Sequence, residues 1–79
     1  MAEYMFKELG FELVRNDDDY IIYEKHLGNC SKVVSFCEQN RSVNVTYDNL
    51  VIISSDTTPP IDMNLFRAID KQLNELSWI

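Results

Sequence analysis

Alternating apolar and polar residues mark the centre of the chain, Asp19–Tyr47, as a run of antiparallel strands. The segments Tyr20–Tyr23, Lys32–Phe36 and Val43–Tyr47 are rich in the β-branched and aromatic residues that favour strands. In the last segment, apolar residues alternate with polar ones at the period of two expected for a half-buried strand. Leu27–Asn29 carries turn residues, so the first two segments are predicted to form a hairpin.

The lengths of the turns determine which residues are predicted to face the core. A three-residue turn at Leu27–Asn29 predicts three cross-strand pairs: Glu24 with Lys32, Ile22 with Val34, and Tyr20 with Phe36. A second turn at Asn40-Arg41 predicts two more: Phe36 with Val45, and Val34 with Tyr47. Both turns predict one apolar face, made of Tyr20, Ile22, Val34, Phe36, Val43, Val45 and Tyr47. The opposite face is then mixed and carries Ile21, Tyr23 and Val33 beside Ser35, Cys37, Asn44 and Thr46.

Helical spacing predicts one helix before the sheet and one after it. Residues Ala2–Leu9 place Ala2, Met5, Phe6 and Leu9 on one face, and Gly10 is a natural helix terminator. A second helix is predicted over Asp62–Ser77, with Asp62 as its N-cap. Its predicted apolar stripe consists of Leu65, Phe66, Ile69, Leu73 and Leu76. Ile61 and Phe66 have the spacing of a hydrophobic staple, and we expect Trp78 and Ile79 to fold back on the core.

The remaining segments complete a single α+β domain over residues 1–79. Phe11–Arg15 is predicted to form the first strand, and Asn16–Asp19 the turn after it. Leu50–Ile53 is either a fifth strand or a bulged extension of the strand before it, and Ser54–Pro60 is a loop. The prediction is therefore a short N-terminal helix, an antiparallel sheet of four or five strands, and a C-terminal helix packed on one sheet face.

The chain is acidic, which narrows the kinds of partner that it can bind directly. Thirteen Asp and Glu residues against seven Lys and Arg give a net charge of −6. Such a chain lacks the basic surface that binds nucleic acid or anionic membranes, so we expect neither as a direct partner. No apolar run approaches the roughly 18 residues of a membrane span, and charged residues interrupt any signal-peptide core near the N-terminus. We therefore expect a cytoplasmic protein.

His26, Cys30 and Cys37 are the candidate ligands for a soft metal. A structural zinc site takes four ligands, usually Cys and His, whereas these residues number three and lack Cys-x-x-Cys spacing. The predicted register places His26 and Cys30 on one face and Cys37 on the other. We therefore expect no cofactor, with a zinc-stabilised small domain as the alternative.

Catalytic chemistry is not indicated by the titratable residues. A Cys-His pair at a hairpin tip lacks the enclosing cleft that a nucleophile needs. Asp17, Asp18 and Asp19 have no neighbouring apolar pocket to raise a carboxyl pKa. We expect the protein not to be an enzyme.

Three stretches resemble small uncharacterised proteins of phages and mobile elements in Gram-positive bacteria. They are Glu8–Glu12, Tyr20–Lys25 and the ending Ala68–Ile79, in which Ser77 stands where glycine is common. The resemblance covers most of the chain in layout and about a third of it by motif, and none of these motifs is catalytic. It implies an accessory phage protein, a class that includes inhibitors of host enzymes such as anti-CRISPR proteins.

These observations predict an acidic, non-enzymatic protein-binding module. Its expected partner is a host protein, such as a nucleic-acid-handling defence nuclease, in the host cytoplasm. The alternative is a structural or assembly accessory protein that self-associates through the mixed sheet face. The predicted partner-binding residues are Asp17, Asp18, Asp19, Ile21, Tyr23 and Val33.

Overall fold

The computed structural model describes residues 1–49 and 60–79. Its elements in chain order are α1 (Ala2–Glu8), β1 (Glu12–Asn16), β2 (Tyr20–His26), β3 (Cys30–Cys37), β4 (Ser42–Asn49) and α2 (Met63–Glu75). The strands form one antiparallel sheet in the order β1-β2-β3-β4, so the predicted α+β fold is confirmed. The predicted segment Leu50–Ile53 lies outside the described residues, as does the loop except for Pro60. Among the described residues, no helix combines the length and the apolar character needed to cross a membrane.

Both helices end in the same hydrogen-bonded cap. After α1, Gly10 has a φ of +92°, its N–H donates to Lys7 O at 3.0 Å, and Phe11 N–H donates to Phe6 O at 2.9 Å. These two bonds define a Schellman motif, in which glycine suits the left-handed position. After α2, the non-glycine Ser77 takes that position at a φ of +61°.

The predicted N-cap of α2 is confirmed. Asp62 has extended backbone geometry, and its Oδ1 accepts a hydrogen bond from Leu65 N–H at 2.8 Å. This bond satisfies one of the backbone donors left open at a helix N-terminus.

The predicted register between β2 and β3 is wrong by one residue. Leu27 N–H donates to Cys30 O at 2.8 Å, so the turn contains two residues, Gly28 and Asn29, and not three. Gly28 has a φ of +89°, and the first central position of a two-residue type II′ turn favours glycine for this reason. The observed pairs are Ile21 with Phe36, Ile22 with Ser35, Tyr23 with Val34, Glu24 with Val33, and Lys25 with Lys32.

A slip of one residue moves every side chain of β2 to the other face. Ile21 and Tyr23 therefore lie in the core, at 8% and 2% exposure, although the sequence placed them on the mixed face. Tyr20 and Ile22, predicted to be in the core, lie on the opposite face. The predicted opposite-charge pair of Glu24 and Lys32 is likewise absent from the observed register.

The register between β3 and β4 differs from the prediction by two residues. Val34 pairs with Val45 and Phe36 with Val43, because the connecting loop spans residues 38–41. An even slip keeps each side chain on its predicted face, so the assignment of β3 and β4 residues to the core side is confirmed.

The two helices pack on the same face of the sheet. Phe6 of α1 stacks on Tyr23 with ring centroids 3.9 Å apart, and Tyr23 Oη donates to Gln72 Oε1 of α2 at 2.6 Å. The fully or largely buried apolar residues are Ala2, Phe6, Phe11, Ile21, Tyr23, Val34, Phe36, Leu65, Ala68 and Ile69. Trp78 folds back as predicted, with its ring 6.4 Å from that of Phe36.

Part of the predicted stripe on α2 is wrong. Phe66 is 52% exposed, so it does not belong to the core. Ile79, predicted to fold back on the core together with Trp78, is 69% exposed, so that prediction is wrong. Ala68 and Gln72 take buried positions on the helix instead. The buried face thus follows residues 65, 68, 69 and 72, the spacing of three and four expected of a helix.

Candidate functional site

The sheet has one covered face and one face that no described helix or strand packs against. We call the second the open face; its central strands contribute Tyr20, Ile22, Glu24, Val33, Ser35 and Cys37. The observed register assigns these residues to the open face, because Tyr23, Val34 and the helices lie on the other side. Among residues 1–49 and 60–79, this face is therefore available for contact with a partner.

Two apolar side chains lie near the centre of the open face, next to Ser35 and Glu24. Ile22 and Val33 sit on the two middle strands in adjacent cross-strand pairs, Ile22 with Ser35 and Glu24 with Val33, and both side chains remain partly exposed. Tyr20 lies opposite Cys37 at one end of these strands, with the Arg15 guanidinium 4.9 Å from its ring centroid. The face therefore combines two apolar side chains with aromatic and polar ones, a mixture also found at protein-binding surfaces.

Four carboxylates lie at one end of the sheet, and we call them the acidic end. Asp17, Asp18 and Asp19 connect β1 to β2, and Glu38 follows β3. Glu38 N–H donates to Asp19 O at 2.9 Å, which continues the β2–β3 pairing and places the two acids side by side. The described ion pairs leave Asp18, Asp19 and Glu38 without a basic partner.

Asp17 differs from the other three acids because it holds the turn together. Its Oδ1 accepts from the N–H groups of Asp19 and Tyr20, both at 2.9 Å, and its Oδ2 accepts from Arg15 Nε at 2.6 Å. The bond from Arg15, followed by the two backbone bonds, lowers the pKa of Asp17 from 3.8 to about 2. Asp18 and Asp19 are left as the exposed tip of the hairpin.

Replacing Asp17 by alanine should lower the melting temperature at neutral pH. A depressed pKa stabilises the fold above the unfolded value of 3.8, and this stability is lost as the pH falls through about 2. The difference in melting temperature between wild type and Asp17→Ala should therefore shrink over that acid range. Thermal melts across pH measure it, with Asp18→Ala as the matched control, which should melt like the wild type.

The candidate metal ligands do not converge. His26 pairs with Ser31 across the two strands and lies on the open face. Its Nδ1 and Ser31 Oγ share a hydrogen bond of 3.2 Å. Cys30 points to the other face, so the predicted adjacency of His26 and Cys30 on one face is wrong. Cys37 ends the same strand seven residues on, about 23 Å from Cys30 at strand spacing. Within residues 1–49 and 60–79, no group of three metal-binding side chains forms.

The predicted partner-binding residues separate into two groups. Asp17, Asp18, Asp19 and Val33 lie at the surface, as expected of contact residues, whereas Ile21 and Tyr23 are buried. Burial, with Glu3 and Glu75 nearby, raises the pKa of Tyr23 to about 12 and keeps it a neutral donor to Gln72.

Two contributors to the open face were missed in the sequence: Tyr20 and Ile22. The glycine at position 28 was the signal that could have found both, because a two-residue turn sets the correct register. Comparisons of the chain with protein-family models, with curated proteins and with solved structures found no match.

Proposed function

We propose that the chain is a non-enzymatic module that binds a host protein and inhibits or modulates it. The observation that carries the proposal is the open face, where Ile22 and Val33 stay partly exposed beside the acidic end. Burying these two apolar side chains against a partner is favourable, and charged groups near them add specificity and speed of association.

The charge pattern favours a basic partner. Carboxylates of Asp18, Asp19 and Glu38 can accept hydrogen bonds from the same Arg and Lys donors that bind phosphate groups. A protein carrying them can compete with nucleic acid for a basic groove. Together with the resemblance to phage accessory proteins, this supports a nucleic-acid-handling host enzyme as the partner, such as the effector nuclease of a CRISPR system.

Binding should depend on these three acids and on salt. We expect the variant Asp18→Asn/Asp19→Asn/Glu38→Gln to bind roughly tenfold more weakly, the sum of three surface charge contacts. Asp17 is left unchanged because it holds the turn. The matched control is Glu3→Gln/Glu8→Gln/Asp70→Asn, which removes the same charge from the helices and should bind like the wild type.

The experiment is capture of partners from a host lysate, followed by binding measurements on a captured nucleic-acid-handling protein. Added nucleic acid should release this partner, and association should slow as salt screens the charges. Binding that ignores salt and nucleic acid, or an equal loss in both variants, would contradict the proposal.

A further inference from the structure

The side chain of Tyr20 is held in place on the open face. The Arg15 guanidinium lies 4.9 Å from its ring centroid, at the distance of a cation–π contact. Asp17 holds both residues, because its Oδ2 accepts a hydrogen bond from Arg15 Nε at 2.6 Å and its Oδ1 accepts one from Tyr20 N–H at 2.9 Å. A hydrogen bond with the Cys37 side chain raises the pKa of Tyr20 and restrains the hydroxyl end of the ring. The ring is therefore ordered before any partner binds.

Although it is held in this way, Tyr20 remains 36% exposed. It pairs with the last residue of β3, whereas Asn49 pairs with the first residue of that strand. The carbonyl oxygen of Pro60 accepts a hydrogen bond from Lys32 Nζ, on the third residue of β3. The two ends of β3 are about 23 Å apart at strand spacing. Tyr20 thus lies at the end of the sheet away from Asn49 and Pro60, the two residues that border the undescribed part of the chain.

An exposed aromatic side chain that is already ordered is well suited to carry much of an interface's binding energy. Tyr, with Trp and Arg, is enriched among the few residues that dominate protein–protein interfaces. A ring that is already held loses little rotational freedom when a partner covers it. Among residues 1–49 and 60–79, the other exposed aromatic side chains are Tyr4 and Phe66, which lie on the helices. Tyr20 is therefore the exposed aromatic side chain of the open face.

We infer that Tyr20 is the anchor residue of the proposed interface and that Arg15 is a positioning residue, which acts by holding the Tyr20 ring. This inference rests on the proposed function, because its partner is the basic, nucleic-acid-handling protein proposed above. The apolar stems of the partner's Lys and Arg side chains cover the ring, while their charged heads reach the acidic end.

The charge of Arg15 makes its role testable, because two explanations predict opposite results. If Arg15 affected a basic partner only through its charge, Arg15→Gln would remove a repulsion and strengthen binding. If Arg15 holds the ring, the same variant weakens binding even though it makes the chain more acidic. We expect Arg15→Gln to bind the captured partner roughly threefold more weakly.

Arg41→Gln is the matched control for this charge. Arg41 is exposed in the loop of residues 38–41, at the same end of the sheet as Tyr20. Its replacement removes the same charge without touching the ring. Arg41→Gln should therefore bind at least as tightly as the wild type.

Variants of Tyr20 test the anchor itself. Tyr20→Ala removes the ring and should bind the captured partner at least roughly tenfold more weakly. Tyr20→Phe keeps the ring and its contact with Arg15, so its affinity should stay within about threefold of the wild type. Tyr4→Ala, which removes an exposed aromatic ring from α1, should bind like the wild type. Thermal melts check that each variant is folded.

The double variant Arg15→Gln/Tyr20→Ala separates positioning of the ring from a loosened turn. If Arg15 acts through the ring, the double variant binds no more weakly than Tyr20→Ala, whereas a loosened turn adds a further loss. Wild-type affinity in Tyr20→Ala, tighter binding by Arg15→Gln, or additive losses in the double variant would each overturn the inference. In these cases the wild type still binds its partner, so the proposed function stands. Failure to capture a nucleic-acid-handling partner would instead overturn both.

Discussion

Phe36→Ala should cost about 3–5 kcal/mol of unfolding free energy, the usual loss for a large buried aromatic side chain. The Phe36 side chain has 0% exposure and meets the rings of Phe6, Tyr23 and Trp78 edge-on, at 6.1, 6.3 and 6.4 Å between centroids. Phe36 therefore connects β3 to α1 and to the segment that follows α2. Small domains are stable by about 5–15 kcal/mol, so this single change should bring the protein close to unfolding.

Urea denaturation of the two proteins measures this loss, with Phe66→Ala as the matched control. Phe66 is the same residue type but is 52% exposed on α2, so its replacement should cost less than about 1 kcal/mol. Similar losses in the two variants would contradict the observed core and restore Phe66 to the predicted stripe.

The sequence located the elements well because their signals are local. Asp62 and Gly10 mark helix ends through hydrogen bonds to residues three to five positions away, so no tertiary contact is needed to recognise them. Strand segments were also found from residue type and alternation. The register of one strand against the next could not be predicted from residue type and alternation alone.

A single turn explains most of the errors in the predicted core. Reading the turn after β2 as three residues exchanged Tyr20 and Ile22 for Ile21 and Tyr23, since an odd slip inverts a strand. The error at the next turn shifted the register by two residues, so the side chains of β4 stayed on their predicted faces. Glycine at position 28, as the first of two turn residues, was the local signal for the correct length.

The buried glutamine on α2 could not be found from its own segment. Gln72 is 6% exposed, and its partner is the hydroxyl of Tyr23, at 2.6 Å. A polar residue in a helix is placed facing water unless its buried partner is known. With Tyr23 placed on the wrong face, no residue in the predicted core called for an acceptor at this position.

The candidate surface shows the same division between local and tertiary information. Asp17, Asp18 and Asp19 are alike in the sequence, yet only Asp17 accepts three hydrogen bonds while the other two form the exposed tip. Glu38 joins them because the β2–β3 register brings it beside Asp19. The net charge could be predicted from composition. Only the folded turn shows that Asp17 has a structural role, whereas Asp18 and Asp19 are exposed and free to contact a partner.

The second large effect is expected for Phe6→Ala, which should also cost about 3–5 kcal/mol. Phe6 is fully buried, stacks on Tyr23 at 3.9 Å and meets Phe11 edge-on at 5.7 Å. α1 has only seven residues, and a helix this short is unstable in water without tertiary contacts. Removing the ring should therefore release α1 from the sheet as well as weaken the core.

Two measurements separate these consequences for Phe6→Ala. Urea denaturation gives the overall loss, and amide exchange in α1 reports whether the helix opens below the global transition. The matched control is Tyr4→Ala on the same helix, where the side chain is 61% exposed and the loss should stay below about 1 kcal/mol. If Phe6→Ala kept α1 protected and cost no more than this control, the stacking of Phe6 on Tyr23 would not be what holds the helix on the sheet. A large loss with rapid exchange in α1 would instead identify this one ring pair as the main attachment of the N-terminal helix.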